Sequence, residues 1–215
     1  MIRRWVGRFI TVEGIEGVGK STHIGFIAQY LREAGKTVVV TREPGGTALG
    51  ELFRGILLDP GVEAMSPETE TLLMFAARAE HVVRVIRPAL AAGDWVISDR
   101  FTDATYAYQG GGRKVARKHI HNLECFVHSD LRPHVTFLLD APPDVALARI
   151  RERCANDRFE GERIEFFRLV RDRYLDMARE QPDRIRVIDA SEPIAGVRAQ
   201  LVRALQETRL HAAHS

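Results

Sequence analysis

Gly14-Ile15-Glu16-Gly17-Val18-Gly19-Lys20-Ser21-Thr22 separates two glycines, Gly14 and Gly19, by four residues and follows the second with a lysine and a hydroxyl residue. That is the spacing of a loop whose backbone N–H groups wrap phosphate oxygens, with Lys20 as a point charge and the Ser21 hydroxyl available to Mg²⁺. The match carries weight only between a strand and a helix, and both are legible. Phe9-Ile10-Thr11-Val12 is a short β-rich apolar run that ends at the loop, as a buried parallel strand does. Beyond the loop, Ile24, Ile27, Ala28 and Leu31 recur at i, i+3, i+4 and i+7, one apolar helical face that Gly35 closes. The helix N-terminus then turns its partial positive charge toward the phosphates. Residues 14–22 are therefore expected to hold a nucleoside triphosphate.

The same alternation continues along the chain. Thr37-Val38-Val39-Val40-Thr41 reads as a second buried strand, and Trp95-Val96-Ile97-Ser98, Val135-Thr136-Phe137-Leu138-Leu139 and Ile185-Arg186-Val187-Ile188 as three more strands. Helical spacing runs from Thr69 to Leu90, from Asp144 to Arg153 and from Glu162 to Ala178. Strands that alternate with helices predict an α/β fold, a five-stranded parallel sheet with helices on both faces. Ligands of such sheets bind outside the carboxyl ends of the strands. Glu13, Arg42, Asp99 with Arg100, and Asp140 all directly follow the apolar part of a strand, so charge is delivered to that one edge. With no internal repeat, low-complexity tract or linker, residues 1–215 read as one domain.

Composition narrows the function further. Hydrophobic residues make up 45% and charged residues 28%, ordinary values for a globular chain with a sizeable core. The formal charge of +2 gives no reason to expect a nucleic-acid or membrane surface, although 31 Lys+Arg against 29 Asp+Glu leaves room for local basic sites. Cys125 and Cys154 lie far apart without a C-x-x-C, so neither a disulfide framework nor a zinc site is expected, only two buried or incidental thiols. The basic start is interrupted by Arg8 and Glu13 before any apolar signal core, and no long apolar run follows, which predicts a cytoplasmic protein. The Asn-Lys-x-Asp segment of guanine recognition and a Leu-Ser-Gly-Gly-Gln-like transporter signature are both missing. Arginines at strand ends instead suit a kinase whose acceptor is anionic, because two phosphate-bearing substrates must be joined against their repulsion.

Four segments together carry a family resemblance: residues 14–22, Thr41-Arg42-Glu43-Pro44-Gly45-Gly46-Thr47, Ser98-Asp99-Arg100-Phe101 and Ala107-Tyr108-Gln109-Gly110-Gly111-Gly112. In order and spacing the chain resembles bacterial thymidylate kinase, from the first strand to Asp189-Ala190-Ser191. The resemblance implies the phosphate-loop nucleotide-kinase fold with an arginine-rich lid at about residues 149–161. It implies Mg²⁺-dependent transfer of a phosphoryl group from ATP to dTMP, giving dTDP for dTTP synthesis, by a homodimer. The residues also leave open a related phosphate-loop kinase with another nucleotide or nucleoside acceptor, and a switch module that hydrolyses ATP without transfer.

Each site residue then receives an expected role. Gly14, Ile15, Glu16, Gly17, Val18, Gly19, Lys20, Ser21 and Thr22 form the ATP loop, and Ser21 with Asp99 holds Mg²⁺. Arg42, beside its Pro-Gly-Gly turn, can clamp the acceptor phosphate bidentately, or be a surface arginine before a turn. Asp99-Arg100 can meet metal and phosphate, or form a structural ion pair. Glu16 would be repelled by phosphates and must face elsewhere. The resemblance implies that it lies near the sugar 3′-hydroxyl or the acceptor-binding arginine; an exposed loop carboxylate is the alternative. Arg78 and Gln109 are candidates for the base edge. The resemblance implies a stacking phenylalanine at the place of Met74, one step from Phe75, which leaves three readings: Phe75 stacks, Met74 covers the ring, or Phe75 belongs to the core. The resemblance suggests Tyr108 as a wall beside the deoxyribose. Gly17 stands where some relatives carry an arginine, which assigns the transition-state arginine to the lid: Arg153 first, Arg158 second, among Arg149, Arg151 and their neighbours. His81 and His119 read as surface or core residues.

Overall fold

The computed structural model describes residues 6–62, 65–151 and 162–208. Its sheet is formed by β1 (Phe9–Glu13), β2 (Val38–Arg42), β3 (Trp95–Asp99), β4 (Val135–Asp140) and β5 (Ile185–Asp189), all parallel, in the order β2-β3-β1-β4-β5. Every strand lies within a residue of its apolar run. Alternate side chains of β1 enter different cores. Ile10 and Val12 pack with Ile24, Ile27 and Leu31 of α1 (Lys20–Glu33). Phe9 meets Val82, Ile86 and Leu90 on the other face.

Two expectations need correcting. β2 is not a buried strand: it is the sheet edge, with Val40 exposed, and it runs one residue later than expected so that Arg42 is its last residue. Thr37 instead lends its carbonyl to Trp95 N at 2.9 Å.

After β2 come α2 (Ala48–Leu58) and α3 (Pro67–His81), which is carried by a π-helical turn at Val82–Ile86 into α4 (Arg87–Ala92). This is the helix expected from Thr69 to Leu90. Thr47 and Ser66 cap α2 and α3 by accepting from Gly50 N and Thr69 N. After β3, α5 (Thr102–Thr105) passes into a second π-helical segment, Tyr106–Gly112, and then α6 (Arg117–His128). α7 (Pro143–Arg151), α8 (Ile164–Glu180) and α9 (Ile194–Glu207) complete the described chain.

β1 is central, paired with β3 on one side and β4 on the other, so the chain reverses winding direction there and a crevice opens at the carboxyl ends. The register sets Asp99 beside both Val12 and Arg42. The strand-end charges therefore meet, all but Asp140, which takes a bidentate pair from Arg171 of α8 at 2.7 and 2.8 Å.

Candidate active site

The crevice holds a cavity of about 390 Å³ lined by the phosphate loop, the ends of β2 and β3, and side chains of α2, α3 and the second π-helical segment. At its floor Lys20 Nζ donates to Gly14 O at 3.1 Å and Ile15 O at 2.9 Å, which curls the loop back on itself. Desolvation pushes the ammonium down to about 8, with the nearby Arg100 acting in the same direction. Gly19 caps α1 in a left-handed conformation, φ 88°, with no side-chain cap and no acidic residue in the first turn. The helix donors are thus left for a ligand.

Glu16 turns out of the loop. It accepts from Arg100 Nη2 at 2.7 Å and from the Tyr108 hydroxyl at 2.6 Å, so its charge is matched before any phosphate enters. Arg100 also donates to Gly14 O at 3.1 Å and lies 4.7 Å from the centre of the Tyr108 ring. Its own backbone is left-handed, φ 69°, a conformation that costs an ordinary residue about 1–2 kcal/mol. Three bonds hold it there: Arg100 N to Val12 O at 3.0 Å, Ser98 Oγ to Arg100 O at 2.7 Å, and Phe101 N to Glu13 Oε1 at 2.7 Å. The other oxygen of Glu13 accepts from the Tyr174 hydroxyl at 2.7 Å. Burial, with Asp103 nearby, pushes this carboxyl up to about 8.

Asp99 has a buried Oδ1 with no hydrogen-bond partner, and it lines the crevice together with Ser21. An unpartnered carboxylate oxygen and a hydroxyl on one wall are hard oxygen donors that suit Mg²⁺. Among the described residues no group of three His, Cys, Asp or Glu side chains could hold a metal.

Arg42 is half-exposed and pairs with Glu51 at 2.9 Å, while Gly46 N donates to the same carboxylate at 3.0 Å. A surface pair of this kind contributes about 0–1 kcal/mol, so an incoming phosphate can displace it. Sequence reasoning passed over Arg54. Its Nη1 donates to Pro44 O at 2.9 Å across the cis Glu43–Pro44 turn, and the side chain lines the cavity. Burial and the adjacent Arg42 depress its pKa. The available signal was an arginine about two helical turns beyond the Pro-Gly-Gly turn, hidden in a segment not read as a helix.

At the far end of the cavity Arg78 is 2% exposed. It donates to Glu43 Oε2 at 2.7 Å, Phe101 O at 3.2 Å and Thr105 Oγ1 at 3.0 Å, while its Nη1 is buried without a partner. Gln109 donates to Glu70 Oε1 at 2.8 Å, and Arg113 joins Glu70 to Glu162. Met74 lines the cavity and Phe75 does not. Phe75 is a buried core residue 4.7 Å from the Arg78 guanidinium and stacked against His128. Of the three readings of this pair the geometry therefore favours Phe75 as core and Met74 at the cavity, against the placement of Phe75 among the base contacts. His81 is buried and His119 exposed, as is Cys125, which was expected to be buried or incidental. Arg149 donates to Ala190 O at 3.0 Å. Arg153, Arg158 and Cys154 lie outside the described residues, with most of the expected lid.

Residues 12–201 match the family model for thymidylate kinase. The chain belongs to the thymidylate kinase family. It is 58% identical over 195 residues to the thymidylate kinase of Janthinobacterium sp. (strain Marseille), across 91% of this chain and 94% of that one. With the thymidylate kinase of Bordetella petrii it shares 54% over 200 residues, 93% and 95% of the two chains. The crystal structure of thymidylate kinase from Ehrlichia chaffeensis aligns at a TM-score of 0.75 and 35% identity, over 93% of this chain and 99% of that one. The parallel sheet and the phosphate loop at its central strand are thus those of a thymidylate kinase family member.

Proposed function

We propose that this chain transfers the terminal phosphoryl group of ATP to the phosphate of dTMP, forming dTDP in nucleotide biosynthesis. The observation that carries the acceptor assignment is the buried, unpartnered Nη1 of Arg78, whose side chain lines the cavity that includes the phosphate loop. A thymine carbonyl supplies the missing acceptor, with Met74 over the ring and Gln109 at its edge. Tyr108 flanks the sugar, and the carboxylate of Glu16 accepts from its 3′-hydroxyl. Arg42, Arg54 and Arg100 receive the acceptor phosphate.

That phosphate is already anionic, so no general base is required. The residues align it with the donor and stabilise the spreading charge, which Lys20 meets from the loop side. Ser21 and Asp99 are the residues that would hold Mg²⁺, which would supply positive charge to offset that of the donor phosphates. The arginine for the transferred group is assigned to Arg153, with Arg158 second. The family likeness further supports a cytoplasmic, single-domain homodimer. No helix of the described residues is long and apolar enough to cross a membrane. An acceptor panel with ADP detection tests the reading. Turnover should be highest with dTMP, whereas faster reaction with AMP or thymidine, or ADP release without any acceptor, would overturn it.

A further inference from the structure

His81 sits at the end of α3, one turn after Arg78, with no exposed surface. Its Nδ1 is 2.8 Å from Glu43 Oε1, and its Nε2 is 2.6 Å from Thr41 Oγ1. Glu43 uses its other oxygen for Arg78 Nε. A carboxylate flanked by Arg78 only accepts, so the histidine proton on Nδ1 points at Glu43. Burial opposes ionisation of Glu43, but Arg78 and His81 outweigh it and hold the carboxyl below its usual range. The turn after β2 closes directly onto this ring. A Cβ on Gly46, at φ 80°, would lie 2.6 Å from His81 Cδ2 and 2.8 Å from Thr41 Oγ1.

The consequence falls on Arg78. One edge of its guanidinium is fixed by Glu43 and another by Phe101 O and Thr105, while Nη1 is buried without a partner in a side chain that lines the cavity. With its charge matched by Glu43, the Nη1 edge reads hydrogen-bonding type rather than net charge. A ring carbonyl satisfies it, and an amino group leaves two donors opposed.

We propose that His81 and Glu43 are positioning residues for the acceptor base. The relay Thr41–His81–Glu43 aims Arg78 Nη1 and thereby sets the preference for a pyrimidine with a carbonyl, not an amino group, at that edge. The inference rests on the dTMP reading above.

The test is the full kinetics of dTMP, dCMP and ATP for the wild type, His81→Phe, His81→Gln and Glu43→Gln. His81→Phe and Glu43→Gln should raise the dTMP KM, and lower the dTMP-over-dCMP ratio of kcat/KM, by about tenfold each. The ATP KM should stay within about twofold. His81→Gln, whose amide can donate to Glu43, should recover most of the ratio. If His81→Phe does not fold, Glu43→Gln and His81→Gln carry the comparison. An unchanged ratio in folded Glu43→Gln or His81→Phe overturns the proposal, as does a parallel rise in both KM values, which a purely structural role predicts. Failure of the underlying reading is separately visible, because the wild type would then not turn over dTMP, and both would fall together.

Discussion

Glu13 shows what a single buried residue contributes to the site. In the sequence it is one charge at a strand end; in the structure its two oxygens bind Phe101 N and the Tyr174 hydroxyl and pin the left-handed Arg100 turn. The partners come from 88 and 161 residues away, so no local pattern could have named them. The site loop residues were legible because phosphate binding constrains adjacent positions, whereas the supports of Arg100 are set by tertiary packing alone. The carboxyl is raised from 4.5 to about 8, so the folded chain keeps a proton that the unfolded chain releases above 4.5. This group's contribution to stability is full below 4.5 and is lost as pH rises through 8. Gln mimics the neutral acid and does not titrate. Glu13→Gln should therefore match the wild-type Tm near pH 5 and exceed it by several degrees at about pH 8, each kcal/mol being worth roughly 2–4 °C in a chain of this size. Scanning calorimetry at the two pH values decides it; a Tm difference that does not change with pH would sink the idea.

α3 illustrates how far periodicity reaches. Its helical repeat and the position of Arg78 were readable, but residues 74 and 75 differ by about 100° around the axis, and that angle separates cavity from core. Met74 lies four residues before Arg78 and faces the cavity, whereas Phe75 supports the guanidinium from below. Met74→Ala should raise the dTMP KM several-fold with little change in Tm. Phe75→Leu, which keeps an apolar side chain of somewhat smaller volume in the core, should leave that KM within about twofold and cost about 1–3 kcal/mol of stability. A larger KM effect from Phe75→Leu than from Met74→Ala would return the stacking role to the phenylalanine. Other helices escaped sequence reading for identifiable reasons. α2 contains Gly50 and Gly55, which read as breakers, and α6 buries only Ile120 and His128, too few to mark a stripe.

At the scale of the molecule, the parallel sheet was implied by the α/β alternation, and the rule that ligands sit at the carboxyl edge pointed to the edge where the cavity lies. What the alternation cannot specify is which helix faces remain uncovered. α2 and α3 pack on each other and leave Leu49, Leu52, Ile56 and Leu72 between 44% and 67% exposed. On α2 these fall at i, i+3 and i+7, one continuous apolar face. Arg54 lies elsewhere on the same helix and lines the cavity proposed to take the acceptor. A second copy of the chain packed on this face would bury the apolar stripe and fix the helix that delivers Arg54, coupling assembly to acceptor binding. The expected mass in solution is therefore twice 24.2 kDa. Leu52→Glu with Leu72→Glu should shift light scattering to the single-chain mass and raise the dTMP KM more than the ATP KM. A wild-type monomer, or a monomeric variant with unaltered dTMP kinetics, would separate α2 from any such interface and leave Arg54 to be positioned by Pro44 alone.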